Sequence, residues 1–161
     1  MKTHLSLAVA ALALTACNPP ADKPAPAAEA TAAAVTAADA WCRPSPNGAK
    51  AGGCYVTLTA ATDDRLTGGF TPRAAELQVH EMKTENGMMK MAQLTEGLPL
   101  AAGQAVELAP GANHLMLIGL TAPLVAGETV PITLTFASAP EVTVQAAVRQ
   151  PTMAGMDHAA H

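Results

Sequence analysis

The Asn86-Gly87 pair is the strongest constraint on how this chain can fold, because Asn-Gly is the preferred centre of a two-residue β-hairpin turn. The segment Leu77–His80 before it alternates apolar and polar residues, as a half-buried strand does. With a two-residue turn, Met82 lies opposite Met91. Side chains alternate between the two faces of a strand, so the hairpin places several sulfur and imidazole groups on one face. These are His80, Met82, Met89 and Met91.

This register has one cost, which leaves the length of the turn open. Lys83 lies opposite Lys90, and like charges directly across a strand pair are mildly destabilising. A longer loop would avoid this pairing, so the pattern also allows a longer loop as an alternative.

A second pair of candidate ligands follows the hairpin. His114 and Met116 are two positions apart, so in a strand they share one face. Leu115 and Leu117 then point the other way, into a core. Imidazole and thioether together suit Cu(I), whereas zinc prefers thiolate or carboxylate with histidine, and calcium and magnesium prefer oxygen. The pattern therefore predicts a Cu(I) site.

Packing alone is the competing explanation, because a single methionine commonly fills a gap in a core. The in-phase spacing of two His-Met clusters is hard to obtain from packing, and it favours metal binding for a set of four residues. The set is His80, Met91, His114 and Met116. For Met82 and Met88 the two explanations stay balanced. The pattern does not choose between Met82, Met89 and Met91 as the ligand on the hairpin.

The spacing resembles the motif of the periplasmic copper chaperone family often called PCu(A)C, in which a His and a Met precede a His-x-Met. Here ten residues separate His80 from Met91, and twenty-two separate Met91 from His114, one more than is usual in the family. The extra residue fits in the loop around 101–103. Flanking segments at 108–111 and 127–136 are also similar, and the resemblance covers about residues 37–148.

The resemblance implies both a fold and a function. The fold is a Greek-key β-sandwich of the cupredoxin kind, and the Cu(I) ligands are His80, Met91, His114 and Met116. The function is that of a periplasmic metallochaperone, which holds Cu(I) and delivers it to an acceptor such as the copper centre of a respiratory oxidase. Two alternatives stay open: a lipoprotein that buffers copper for tolerance without a dedicated acceptor, and a metal-free scaffold sandwich.

The rest of the chain agrees with an all-β fold. Short alternating segments are separated by turn signals every eight to twelve residues, and no segment with helical periodicity competes inside the domain. A chain of 161 residues is long enough for one domain. The net charge of −4 argues against a nucleic-acid partner. The sequence has no nucleophile beside a base and no paired carboxylates in context, so we expect no enzyme.

The beginning of the chain indicates export and membrane attachment. Residues 1–17 have the features of a lipoprotein signal peptide, because Lys2 precedes a short apolar run and Leu14–Cys17 resembles the bacterial lipobox. Cys17 would then carry lipid and hold the protein on the periplasmic side of a bacterial membrane, with an ordinary signal peptide as the alternative. Residues 18–38 are predicted to be an Ala- and Pro-rich tether, with an Ala-rich helix as the alternative for residues 27–38, and residues 39–149 the copper-binding domain.

Cys42 and Cys54 are the two cysteines left once Cys17 is assigned to lipid. In an oxidising compartment an even pair favours a disulfide, and the loop between these two lies between consecutive predicted strands. The alternative is a thiolate copper or redox pair, although the spacing is far from Cys-x-x-Cys.

Residues 150–161 are polar, small and unpatterned, as in a flexible tail. Four metal-binding side chains lie close together in this tail: Met153, Met156, His158 and His161. They would be additional mobile copper ligands, and the imidazoles beside Asp157 would also accept Cu(II). A tail without function is the alternative.

Overall fold

The computed structural model describes residues 34–151, and this part of the chain folds into β-strands. Within it there is no helix that could cross a membrane. The residues 1–33 and 152–161, which include Cys17 and the four candidate ligands of the tail, lie outside the described residues. The strands are β1 (Val35–Cys42), β2 (Ala51–Ala60), β3 (Asp64–Phe70), β4 (Ala74–Glu85), β5 (Met88–Gln93), β6 (Leu98–Leu100), β7 (Ala105–Leu108), β8 (His114–Leu120), β9 (Thr129–Phe136) and β10 (Val142–Val148).

Seven of these strands close into a barrel. Hydrogen-bonded neighbours follow the order β4-β8-β2-β1-β10-β9-β3, and β3 returns to β4 where Gly69 lies opposite Leu77. A side chain at Gly69 would collide with the carbonyl oxygen of Thr133, so this close approach of β3 and β9 requires glycine. The other three strands attach at the sides: β5 to β4, β6 to β3 and β7 to β2. The predicted all-β Greek-key sandwich is confirmed, with the sandwich closed into a barrel.

The core of the barrel is almost entirely aliphatic. Along β9, inward residues alternate with partly exposed ones, and Val130, Ile132, Leu134 and Phe136 are the buried set. Removing such a side chain from water stabilises the fold by about 1.5–3 kcal/mol before entropy is counted. Because successive side chains of a strand alternate between the inside and the outside of the barrel, the outward positions can carry polar and metal-binding side chains without disturbing the core.

The first strand begins earlier than the sequence predicted. Val35–Ala38 pairs with Thr57–Ala60, so these residues belong to β1, and the tether predicted for 18–38 was too long at this end. Val35 is buried, which fixes it to the core. The alternation was hidden because two of these four residues, Ala37 and Ala38, are alanines, which show little contrast between an inward and an outward position. A second difference is β6, a strand of three residues that the sequence pattern did not indicate.

The predicted disulfide between Cys42 and Cys54 is confirmed. The two cysteines are partners in the register of β1 and β2, and both are fully buried. Cys54 also lies opposite Leu115 of β8, whose side chain is in the core. The disulfide therefore joins neighbouring strands from the core side of the sheet, as a structural bond and not as a thiolate pair.

Candidate metal centre

The hairpin of β4 and β5 has the predicted two-residue turn. Asn86 and Gly87 both have positive φ, 52° and 76°, as a type I′ turn requires. Met82 lies opposite Met91, so the methionine register is the one that the sequence predicted. The alternative of a longer loop is excluded.

The like-charged pair in this hairpin is neutralised by two carboxylates of β4. Lys83 and Lys90 are partners in the register, as expected. Lys90 lies 2.7 Å from the carboxylate of Glu85, and Lys83 forms an ion pair with Glu81. Each lysine is thus screened from the other, and these exposed pairs offset the small cost of the register.

Strand β8 lies beside β4 on the side away from β5, and it brings the second His-Met cluster to the first. His80 lies opposite His114, and Gln78 lies opposite Met116. Partners in a strand pair share a face, so all these side chains are on the outer face of the barrel. Leu115 of β8 is buried on the opposite face. Two clusters separated in sequence by the segment that contains β6 and β7 therefore meet on three neighbouring strands.

Three of the four predicted ligands are in direct proximity. Nε2 of His114 lies 3.2 Å from Sδ of Met91, and the ring centroids of His80 and His114 are 5.8 Å apart. His114 is 7% exposed, whereas Met91 is 49% exposed, so the group is shallow and open on the side of β5. Met116, half-buried, shares this face on β8, two positions from His114.

The other hairpin methionines occupy different positions. Met82 shares the face and is half-buried opposite Met91. Met89 is 57% exposed, and its Sδ accepts a hydrogen bond from Thr84 Oγ1 at 3.4 Å. Of the three candidates that the pattern left open, Met91 has its sulfur within hydrogen-bond distance of a histidine nitrogen. Met88 is on the opposite face of the hairpin, since it lies opposite Glu85.

The ring nitrogens of the two histidines are held in different ways. The backbone carbonyl of Ala112 lies 3.0 Å from Nδ1 of His114, which leaves Nε2 directed at Met91. Nε2 of His80 lies 2.7 Å from Oε1 of Gln78, and Nδ1 of His80 is buried without a hydrogen-bond partner. Burial lowers the pKa of His80, and the nearby His114 lowers it further. A neutral ring with a free lone pair is the form that binds a metal.

The donor set matches a soft cation. Within residues 34–151 no group of three or more histidine, cysteine, aspartate or glutamate side chains is placed to hold a metal ion. The site consists instead of two imidazoles and thioethers, and this combination favours Cu(I) over zinc, calcium or magnesium. A cavity of about 360 Å³ lies elsewhere, beside Trp41 and Arg149, and none of the predicted ligands lines it.

Sequence reasoning missed the neighbours of these ligands on both sides. Gln78 contacts His80, and the only signal for it was its position two residues before His80 on the same strand. The ring of Tyr55 on β2 is centred 6.5 Å from that of His114, and Trp41 lies 4.4 Å beyond Tyr55. The guanidinium of Arg149 covers Trp41 at 4.5 Å. This aromatic row shields the β2 side of the site, so the exposed approach is from β5.

Known proteins resemble this chain in both sequence and fold. A family model described as "Putative lipoprotein LpqE-like" matches residues 35–148. A protein of Leifsonia xyli subsp. xyli, named as a "Putative lipoprotein", is 35% identical over 133 residues, which are 81% of this chain and 79% of that protein. The copper-bound PCuAC domain from PmoF2 is 25% identical with a TM-score of 0.59, covering 73% of this chain and 93% of that domain. The solution structure of Cu(I)-DR1885 from Deinococcus radiodurans is 29% identical with a TM-score of 0.56, covering 81% of this chain and 86% of that one.

Proposed function

The chain belongs to the LpqE-like family of PCuAC-type copper chaperones, and on this premise we propose that it binds Cu(I) in the periplasm and delivers it to an acceptor protein. The copper centre of a respiratory oxidase is the kind of acceptor we expect. The observation that carries the proposal is the contact between Nε2 of His114 and Sδ of Met91, beside the ring of His80. These two donor atoms face each other there, and a cation that binds both would replace their mutual contact by two metal–ligand bonds.

The position of the site supports transfer and not permanent storage. His80 and His114 lie on strands of the closed barrel, whereas Met91 lies on β5, which among the described strands pairs only with β4. All six residues of β5 are exposed. A ligand from an acceptor can therefore approach the copper from the β5 side while the histidines still hold it, and exchange of one thioether at a time would release the metal.

The first test is a metal titration of the mature protein. We expect Cu(I) to bind in competition with a Cu(I) chelator, and X-ray absorption of the complex to show both nitrogen and sulfur neighbours, because the donor set is imidazole and thioether. Zinc is the control metal and should bind much more weakly. Tighter binding of zinc, or no binding of Cu(I), would contradict the proposal and favour the metal-free scaffold.

A second measurement separates delivery from buffering. Loss of the gene should lower oxidase activity when copper is scarce if the protein is a chaperone. Sensitivity to excess copper, with normal oxidase activity at scarce copper, would instead indicate a buffering lipoprotein.

We further propose that Cys17 carries the lipid that places the site at the outer surface of a membrane, in line with the lipoprotein names of the family and of its relative.

We also propose that the C-terminal segment supplies additional copper ligands, which would bind Cu(I) and, through the imidazoles, Cu(II). Truncation after Gln150 should leave the melting temperature unchanged, lower the copper stoichiometry and slow exchange with a chelator. The physical reason is that a short tether holds its ligands near the site at an effective concentration of order millimolar. The measurement is copper stoichiometry with stopped-flow exchange.

The matched control for this truncation keeps the length of the segment and removes only its donors. It replaces four residues by leucine or glutamine: Met153, Met156, His158 and His161. If the substituted and truncated proteins both match the wild type in stoichiometry and exchange rate, the segment has no role in copper handling.

A further inference from the structure

We propose that Glu76 and Gln78 form a hydrogen-bond relay that fixes the tautomer of His80, so that His80 offers Nδ1 to Cu(I). Gln78 is then a positioning residue, which contacts the ligand ring and not the metal. The inference rests on the proposed Cu(I) site. It concerns two residues that the His-Met spacing does not include.

Strand β4 brings the three side chains together because they occupy alternate positions and so share one face. The amide Nε2 of Gln78 lies 2.8 Å from Oε1 of Glu76. The other amide atom, Oε1 of Gln78, lies 2.7 Å from Nε2 of His80. Both are hydrogen-bond distances, so the groups form a continuous chain from carboxylate to imidazole.

The direction of each hydrogen bond follows from the first member of this chain. An ionised carboxylate can only accept, so Gln78 must direct its NH₂ group at Glu76. The carbonyl oxygen of Gln78 therefore faces His80, and a carbonyl oxygen also can only accept. Nε2 of His80 must donate, which leaves the lone pair of the neutral ring on Nδ1.

Nδ1 of His80 has the surroundings expected of a metal donor. Among the buried side-chain nitrogen and oxygen atoms of residues 34–151, it alone has no hydrogen-bond partner. A buried acceptor without a partner is destabilising unless a ligand satisfies it. His114 has the reverse arrangement, because Ala112 accepts from its Nδ1 and its Nε2 faces Met91. The two imidazoles thus present different nitrogens to one site.

The relay would act on copper through the orientation and basicity of the ring. A ligand imidazole whose second nitrogen is hydrogen-bonded to a fixed acceptor loses less rotational freedom when it binds the metal. The negative charge of Glu76 at the end of the relay also makes the ring more basic, and so a stronger metal ligand. Removal of such a partner lowers metal affinity by about 10- to 100-fold in other sites. We expect a Gln78→Leu protein to bind Cu(I) more weakly by a factor in this range.

The decisive experiment is long-range ¹H–¹⁵N NMR of the metal-free full chain at an alkaline pH where both rings are neutral. The wild type should show His80 protonated on Nε2 and His114 protonated on Nδ1. Gln78→Leu and Glu76→Gln should each give His80 as a mixture of tautomers, the second because a glutamine at 76 can donate as well as accept. Gln78→Glu should restore the Nε2-protonated form, because its carboxylate can only accept.

The matched control is Gln93→Leu. Gln93 is the partner of His80 on the β5 side and is exposed, so its loss should change neither the tautomer nor the Cu(I) affinity. If His80 keeps a single tautomer in Gln78→Leu, or is protonated on Nδ1 in the wild type, the relay is wrong even when Cu(I) binds. If no variant binds Cu(I) and the wild type does not either, the proposed function fails, while the NMR result still decides the relay.

Discussion

Replacing His114 by alanine is expected to weaken Cu(I) binding by more than about 100-fold, which exceeds the range typical of residues that only support a ligand. His114 is the central side chain of the site. Its Nε2 lies 3.2 Å from Sδ of Met91, and its ring is 5.8 Å from that of His80. No other imidazole on β8 could replace it. The affinity is measured by competition with a Cu(I) chelator, and the double variant with Met116→Leu should bind more weakly still.

Because His114 is 93% buried, its replacement also removes packing contacts. A substitution at a methionine is therefore needed to separate the loss of a metal ligand from the loss of packing. Met91→Leu conserves volume and removes only the sulfur, so it should weaken Cu(I) binding with little effect on the melting temperature. Met88→Leu is its matched control, since Met88 is on the same strand and on the opposite face. Equal affinities of the Met91 and Met88 variants, or an unchanged affinity after His114→Ala, would contradict the assigned site.

Removing the disulfide is expected to cost about 2–5 kcal/mol of the free energy of unfolding, and to lower the melting temperature by roughly 8–20 °C. Cys42 and Cys54 are fully buried and close a loop between β1 and β2 with a sequence separation of 12. The bond restricts the unfolded chain and holds two barrel strands in register. A Cys42→Ala, Cys54→Ala double variant avoids burying hydroxyl groups, and its thermal unfolding is compared with that of the oxidised wild type.

The same variant should keep its Cu(I) affinity below the unfolding transition. The disulfide is on the core side of the sheet, whereas the proposed ligands are on the outer face, and neither cysteine contributes a donor. A loss of Cu(I) affinity in the folded double variant would show that the disulfide positions the site. A melting temperature unchanged from the wild type would show that the bond adds no stability.

Sequence alone could predict the part of the site on the β4–β5 hairpin, because local rules determine it. The turn at Asn86-Gly87 and the alternation around it fix the pairing of Met82 with Met91, because a tight turn sets the register of its own strands. The meeting of His80 with His114 is different. It depends on β8 pairing with β4 across the barrel, which no local pattern specifies, and only the family resemblance implied it.

Two other features were beyond the pattern for separate reasons. The start of β1 at Val35 escaped detection because Ala37 and Ala38 follow it closely, and the alanine side chain gives little contrast between a buried and an exposed position. The role of Gln78 depends on which atoms of Glu76 and His80 it meets, and this is a matter of side-chain conformation. Composition and spacing carry no information about such contacts, although alternate positions on one strand show which residues could make them.

The two-residue turn imposes an even-number rule on the ligand spacing. With this turn, a β5 residue shares the outer face with His80 only when an even number of residues separates the two, as with Met91 at ten and Met89 at eight, but not Met88 at seven. With the turn kept at two residues, one inserted or deleted residue beside it would move Met89 and Met91 to the opposite face and bring Met88 to the face of His80, whereas two would leave the faces unchanged. The stretch between Met91 and His114 leaves the hairpin and returns through β6 and β7, so it tolerates the one extra residue found here. Related chains with an odd spacing in the hairpin are therefore expected to keep the barrel and to lack the proposed copper site.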